Sequence, residues 1–255
     1  MKLSFLLLAL LGPLATCHAD AVRLQINGPD GKPVGGAKVR FVEAKMQGDN
    51  LVVTDSTSDA NGIVVVESRN PIFADPREDS QSLMVARVLA PGLAASVFQL
   101  KGGDNSFSLA AGRVLEGVAL DATDKPVATV GLLITSLPFT SMGVDTGQAP
   151  GAAVRMPDEL ALKTTTDEQG RWKFESLPLS GKVDIEARDA RFKRENFSLD
   201  VAQPNPSLHL TQGSTIKGRL LKPNGTAAAG IKITPNSISS EIITDAQGRF
   251  EITGV

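Results

Sequence analysis

The chain has 255 residues, 42% of them apolar, with 26 Lys and Arg against 28 Asp and Glu, a net charge of −2. That balance gives no basic field for a phosphate backbone, so nucleic acid is not an expected partner, and the apolar content excludes full disorder. One Cys excludes an internal disulfide framework, and two His with that Cys provide no usual zinc set.

The N-terminus reads as an export address. Met1 to Ser4 is short and positive, and Phe5 to Leu14 is an apolar run too short to span a bilayer but suited to a signal h-region. Residues 1–21 are therefore assigned to a signal peptide. Cleavage after Ala19 or Ala21 leaves a small side chain at −1 and releases a soluble chain. Alternatively, Leu14-Ala15-Thr16-Cys17 is similar to a bacterial lipobox, with the signal ending at residue 16 and Cys17 carrying lipid. Thr16 departs from the Gly, Ala or Ser usual at that place. No later stretch has the roughly 20 apolar residues of a membrane helix. The expectation is an exported bacterial protein: periplasmic, outer-membrane-associated or extracellular.

The remainder repeats one plan three times, which assigns units to 22–111, 112–212 and 213–255. Each opens with a strand, a tight turn and a second strand. The turns are Gly28-Pro29-Asp30-Gly31, Asp121-Ala122-Thr123-Asp124 and Lys222-Pro223-Asn224-Gly225. Gly31 and Gly225 can supply a positive φ. Each unit then carries a second signature: Asp59-Ala60-Asn61-Gly62, Asp167-Glu168-Gln169-Gly170 and Asp245-Ala246-Gln247-Gly248. An Asp that bonds nearby amides and a Gly in the left-handed region make a hairpin turn, so Asp59, Gly62, Asp167, Gly170, Asp245 and Gly248 are predicted turn residues. The alternation Trp172, Lys173, Phe174, Glu175 predicts a strand with one buried face, as does Val183, Asp184, Ile185, Glu186. Residues 136–163, rich in Gly, Pro, Met and Thr, read as an insertion loop. Within it, 152–163 offers one helical turn, weakened by Pro157.

Strand, Gly/Pro turn, strand and a Thr-Asp-x-x-Gly-x-(Phe/Trp) hairpin resembles the carboxypeptidase regulatory-like domain, a transthyretin-like (prealbumin-type) β-sandwich. Thr244 to Ile252 carries the motif most fully and Thr166 to Trp172 well. The first unit departs, with Ser58 for Thr and Val64 at the aromatic place. Cna-B-type sandwiches have similar turns and are the close alternative. The resemblance implies an all-β chain of tandem small Greek-key sandwiches, the third incomplete, acting as spacer, adhesion or carbohydrate-contacting modules.

From Gly213 to Val255 there are 43 residues, against about 100 for the second unit. Two expectations compete: the sequence is truncated, or a neighbour's strand completes the sheet.

No catalytic constellation stands out. The metallocarboxypeptidases that such modules accompany need His-x-x-Glu and a further His. Transthyretin-like hydrolases and dioxygenases rely on several His or on Tyr, and the chain has no Tyr. His209 lies between Leu208 and Leu210 and reads as a structural or surface residue. Asp55, Asp59 and Asn61 faintly resemble a calcium loop at the wrong spacing. Asp75 to Asp79 reads as a solvated loop, and Lys38 with Asn105 is a formal isopeptide pair without a diagnostic motif. The prediction is a non-catalytic exported module without cofactor, whose protein or cell-surface polymer partner is not named by the sequence. The alternative is an accessory N-terminal region of a larger exported enzyme or transport receptor.

Overall fold

The computed structural model describes residues 21–45, 51–69, 82–138, 153–233 and 242–255, and its regular structure is all β. The first fifteen strands fall into two sets, each of which forms two sheets. The first set is β1 (Ala21–Asn27), β2 (Lys38–Lys45), β3 (Leu51–Thr57), β4 (Ile63–Glu67), β5 (Ser82–Leu89), β6 (Ser96–Leu100) and β7 (Gly103–Ser108). One sheet has the order β4-β1-β7, with β1 antiparallel to β4 and parallel to β7. The other is antiparallel, in the order β3-β2-β5-β6.

The second set repeats the pattern with β8 (Gly112–Leu120), β9 (Gly131–Pro138), β10 (Ala153–Arg155), β11 (Leu162–Thr165), β12 (Arg171–Pro178), β13 (Lys182–Arg188), β14 (Glu195–Asp200) and β15 (Ser207–His209). Its three-stranded sheet is β12-β8-β15, again with one antiparallel and one parallel neighbour around the first strand. Its other sheet is β10-β9-β13-β14, with β11 also on β9. The third set is smaller among the described residues. Here β16 (Thr215–Arg219) pairs only with β19 (Arg249–Thr253), and β17 (Lys232–Ile233) with β18 (Ile242–Ile243).

Period-two alternation places the cores. In β12, Trp172 and Phe174 are buried while Arg171, Lys173 and Glu175 are exposed, since successive side chains leave a strand on opposite faces. The first core gathers Leu24, Ile26, Phe41, Met84 and Leu109, and Phe98 stacks on Phe107 with ring centroids 4.1 Å apart. The second gathers Leu115, Ile134, Trp172, Ile185 and Leu208, and also takes in Val42, Ala95 and Val97 from the first set. The two sandwiches therefore share an apolar seam.

The insertion-loop reading of 136–163 needs correction where it is described. Ser136 to Pro138 complete β9, and Ala153–Arg155 and the start of β11 pair antiparallel with β9. Leu137, Met156, Leu160 and Leu162 are buried, and this apolar spacing was hidden by the Gly, Pro and Thr content of the segment as a whole. Around Pro157 the chain makes one turn, with the Leu160 N–H donating to the Pro157 carbonyl at 2.9 Å, and no helix follows. The signal segment through Asp20, Cys17 included, and Asp75 to Asp79 lie outside the described residues. Ala21 is the first residue of β1.

Candidate functional site

The Asp-Gly turns form one hydrogen-bonded clasp, built three times. Asp59 Oδ1 accepts the amides of Asn61 and Ile63 at 2.9 and 2.8 Å. Asp167 Oδ1 accepts those of Gln169 and Arg171, and Asp245 Oδ1 those of Gln247 and Arg249, at the same distances. A carboxylate held by amide donors prefers its charged form. The Arg249 amide, then its guanidinium, hold the Asp245 carboxyl below the usual carboxylate range. At Asp167 burial pushes upward, but the Arg171 amide and guanidinium outweigh it and the carboxyl is lowered.

The three glycines have no substitute. Gly62, Gly170 and Gly248 have φ of 74°, 70° and 74°. A Cβ on them would lie 2.4, 2.6 and 2.4 Å from the carbonyl oxygens of Ile26, Ala119 and Leu220. Those residues also donate their amides to the glycine carbonyls, at 2.8, 2.8 and 2.7 Å. The turn is thereby locked onto the first strand of its unit. Gly31 (φ 77°) closes the earlier turn in the first unit. Asp124 takes that place in the second at φ 60°, where Asp121 Oδ1 collects the amides of Thr123 and Lys125.

The residue before each Asp, Ser58, Thr166 or Thr244, opens the sequence motif, but its bonding role was not read from the sequence. All three are buried, and each hydroxyl bridges two backbone groups far away in sequence. Ser58 Oγ donates to the Val34 carbonyl and accepts from Ala37 N–H, at 2.7 and 2.9 Å. Thr166 Oγ1 joins Val127 and Val130 in the same way, and Thr244 Oγ1 joins Ala228 and Ile231.

The joints between units also repeat. At the first, Gly112 N–H donates to Gly92, Ala94 N–H to Ala110 and Ala95 N–H to Ser176, the last at 2.6 Å. At the second, Gly213 N–H donates to Arg191, Lys193 N–H to Thr211 and Arg194 N–H to Gly254 at 2.9 Å. A Cβ on Gly112 would lie 2.5 Å from the Leu93 carbonyl carbon, and one on Gly213 2.6 Å from that of Phe192. The first joint carries two further clamps. Arg87 Nη1 donates to the carbonyls of Leu160 and Ala161 at 2.9 and 2.7 Å. Arg40, held in a two-point pair with Asp55, donates to the Glu159 carbonyl. Burial, then the nearby Arg40, lower the Arg87 guanidinium from its ordinary value.

The side chains with most chemical potential are committed elsewhere. Asp55, on β3, is bound to Arg40 of β2, and no cluster of three or more metal-ligating side chains occurs among the described residues. His209 is exposed, with Nδ1 3.5 Å from Asp124. Asn105 spends its whole amide on Lys101 and Gly103, and it sits on β7 while exposed Lys38 is on β2 of the opposite sheet, so the isopeptide pairing does not form. Glu186, read as solvent-facing, is buried: its carboxylate accepts from Arg188 and Arg194, and Arg188 reaches on to Asp158. Burial raises Glu186, but these arginines more than offset it and hold the carboxyl low. Trp172 is buried over Gly117, where a Cβ would lie 2.5 Å from the indole ring. It offers no exposed platform for a sugar.

No family model matches the chain, and no curated protein matches it. Several solved structures resemble it loosely. The shaft pilin SpaA of Lactobacillus rhamnosus GG is 14% identical, covering 76% of this chain and 97% of that one, with a TM-score of 0.30. The Bacillus anthracis TIE protein is 14% identical over 92% of this chain and 44% of that one, with a TM-score of 0.27. The pilus backbone protein RrgB of Streptococcus pneumoniae is 13% identical over 78% and 65%, at 0.28. Likeness this distant concerns β architecture and carries nothing about what the chain binds or does.

Proposed function

We propose that the chain is a non-catalytic, exported structural module: tandem β-sandwiches that hold a partner or a neighbouring region at a fixed distance. The observation that carries this reading is the joint. Inter-unit contacts in multidomain chains are commonly polar and mobile. Here each joint is fastened by main-chain hydrogen bonds and closed by a glycine with no room for a Cβ, and the first also shares core side chains and two arginine clamps. Such joints transmit orientation from one unit to the next. The commitment of Asp55, Asp59, Asp167, Glu186 and Asp245 to structural bonds supports a non-catalytic role.

Among sandwich families, the Thr-Asp-x-x-Gly hairpins favour a carboxypeptidase regulatory-like origin, with the Cna-B type as the near alternative. Units at 22–111, 112–212 and 213–255 are the reading that the exchange of sheet partners between Ser108 and Gly112 and between His209 and Thr215 supports. The N-terminal leader supports export, with Cys17 as the lipid-bearing residue if the lipobox is used. Among the described residues no helix is long and apolar enough to cross a membrane.

Scanning calorimetry tests the stiff-joint reading. The first two units are expected to melt as one transition, and Gly112→Val, which forces a side chain into the Leu93 backbone, is expected to split it. Two separate transitions in the unaltered chain, or one transition retained by Gly112→Val, would overturn it.

A further inference from the structure

The first unit's antiparallel sheet carries a cation with no carboxylate of its own. Asp55, Arg40 and Arg87 stand opposite one another in a row across β3, β2 and β5. Like charges directly across a strand pair repel. Asp55 relieves only one of the two arginines, since both its oxygens go to Nε and Nη2 of Arg40. Arg87 spends Nη1 on the Leu160 and Ala161 carbonyls. The other edge of its guanidinium, the edge that Arg40 gives to Asp55, is unspent. Arg87 Nε is buried without a hydrogen-bond partner, and Nη2 makes no bond among the described residues. A buried donor left unpaired carries its full desolvation cost, so an acceptor on that edge is favoured.

Arg87 also stands where two hollows meet at the first joint. One, of about 480 Å³, lies between the units and is walled in part by Leu89 of the first and by Leu162 and Phe174 of the second. The other, of about 330 Å³, lies on the first unit. Arg40, Arg87 and Leu89 border both, which makes them one cleft. Its charge runs against that of the chain, whose net charge is −2. Lys38, Lys163 and Lys173 join the two arginines there, against Asp55 and Glu175. Both carboxylates are already taken, Asp55 by Arg40 and Glu175 by Lys173 at 2.6 Å. Lys38 and Lys163 are exposed and form no ion pair among the described residues. Lys38, Arg87 and Lys163 therefore border a partly apolar cleft in which no side chain of the protein neutralises them.

We propose that this cleft binds an organic carboxylate with an apolar body. The carboxylate takes Nε and Nη2 of Arg87 in a two-point pair like the one between Asp55 and Arg40. Lys38 and Lys163 add attraction from the border, and the body lies against Leu89, Leu162 and Phe174. Those apolar walls favour an organic acid over a bare inorganic anion. The inference rests on the charge and shape of the joint and is independent of the spacer reading.

Heteronuclear NMR of the full chain tests it, because the Arg87 Nε–H gives a signal of its own, assigned by its loss in Arg87→Lys. Hexanoate is the probe, with hexan-1-ol as the body without the charge and inorganic phosphate as the charge without the body. Hexanoate is expected to move the Arg87 Nε–H signal saturably and to bind about tenfold more tightly than either control. Lys38→Glu combined with Lys163→Glu leaves the Arg87 clamp untouched. It is expected to weaken hexanoate about fivefold, with Trp172 fluorescence and melting temperature unchanged. An Arg87 signal unmoved by hexanoate, hexan-1-ol bound as tightly as hexanoate, or unaltered affinity in the charge-reversed chain would each overturn the proposal. Phosphate bound as tightly as hexanoate would overturn the organic-acid assignment and leave a simple anion site.

Discussion

The second and third units use the same clasp with very different cores. Thr166, Asp167 and Gly170 superimpose in bonding on Thr244, Asp245 and Gly248, down to which carbonyl each hydroxyl reaches. Around them, Trp172 and Phe174 are buried, whereas the equivalent Phe250 and Ile252 remain partly exposed. The difference separates two sources of order. The clasp closes within a few tens of residues and needs only a hydroxyl, a carboxylate and a glycine. The core needs strands that return from much further along the chain. Local bonding can thus specify a turn without securing the unit that holds it.

Matched substitutions sharpen that contrast. The largest expected effect is at the core. Leu115→Ala removes a fully buried side chain and should cost about 3 kcal/mol by denaturant unfolding. At the equivalent half-exposed position, Ile216→Ala should stay within about 0.5 kcal/mol. Equal costs would show that the third unit has a closed core. Thr166→Val comes next. It strands the Val127 carbonyl and the Val130 amide in a buried place and should cost about 2 kcal/mol. Thr244→Val should leave the main unfolding transition unmoved, while speeding hydrogen exchange at Ile231. A main transition lowered equally by both variants would break the comparison.

The smallest expected effect is on acid stability. Glu186 and Asp158 are both held below their ordinary values of 4.5 and 3.8 in the folded chain. The unfolded chain therefore takes up protons first as the pH falls. Their contribution is complete above about pH 4.5 and is lost as the pH drops through the lower, folded values. Urea midpoints measured from pH 6 down to pH 3 should fall less steeply for Glu186→Gln than for the unaltered chain. An identical slope would remove Glu186 from the account.

Much of this architecture is legible from residue order because it is local. Alternation in Arg171 to Glu175 gives the strand and its buried face, and Asp-x-(Asn/Gln)-Gly gives the turn. What escapes is whatever depends on a distant partner. Thr166 is legible as the first residue of a motif, but its bridging role is not until the Val127 carbonyl is brought beside it. Glu186 occupies a polar place in an alternating strand and reads as solvated, but Arg188 and Arg194 fold over it. Arg87 likewise reaches carbonyls more than seventy positions later. Leu160 and Leu162 were masked by the Gly- and Pro-rich stretch before them.

The bare Cα positions at Gly112 and Gly213 have a consequence for how such a chain can change length. Each glycine meets the backbone of the preceding unit in the same manner, at Leu93 and at Phe192. Excising residues 112–212 would present Gly213 to Leu93 in place of Gly112, with the Gly254 carbonyl offered to Ala95 where Ser176 had been. Reach could then be adjusted by whole-unit gain or loss through the shared main-chain joint, at the cost of the Arg40 and Arg87 clamps that only the first joint carries.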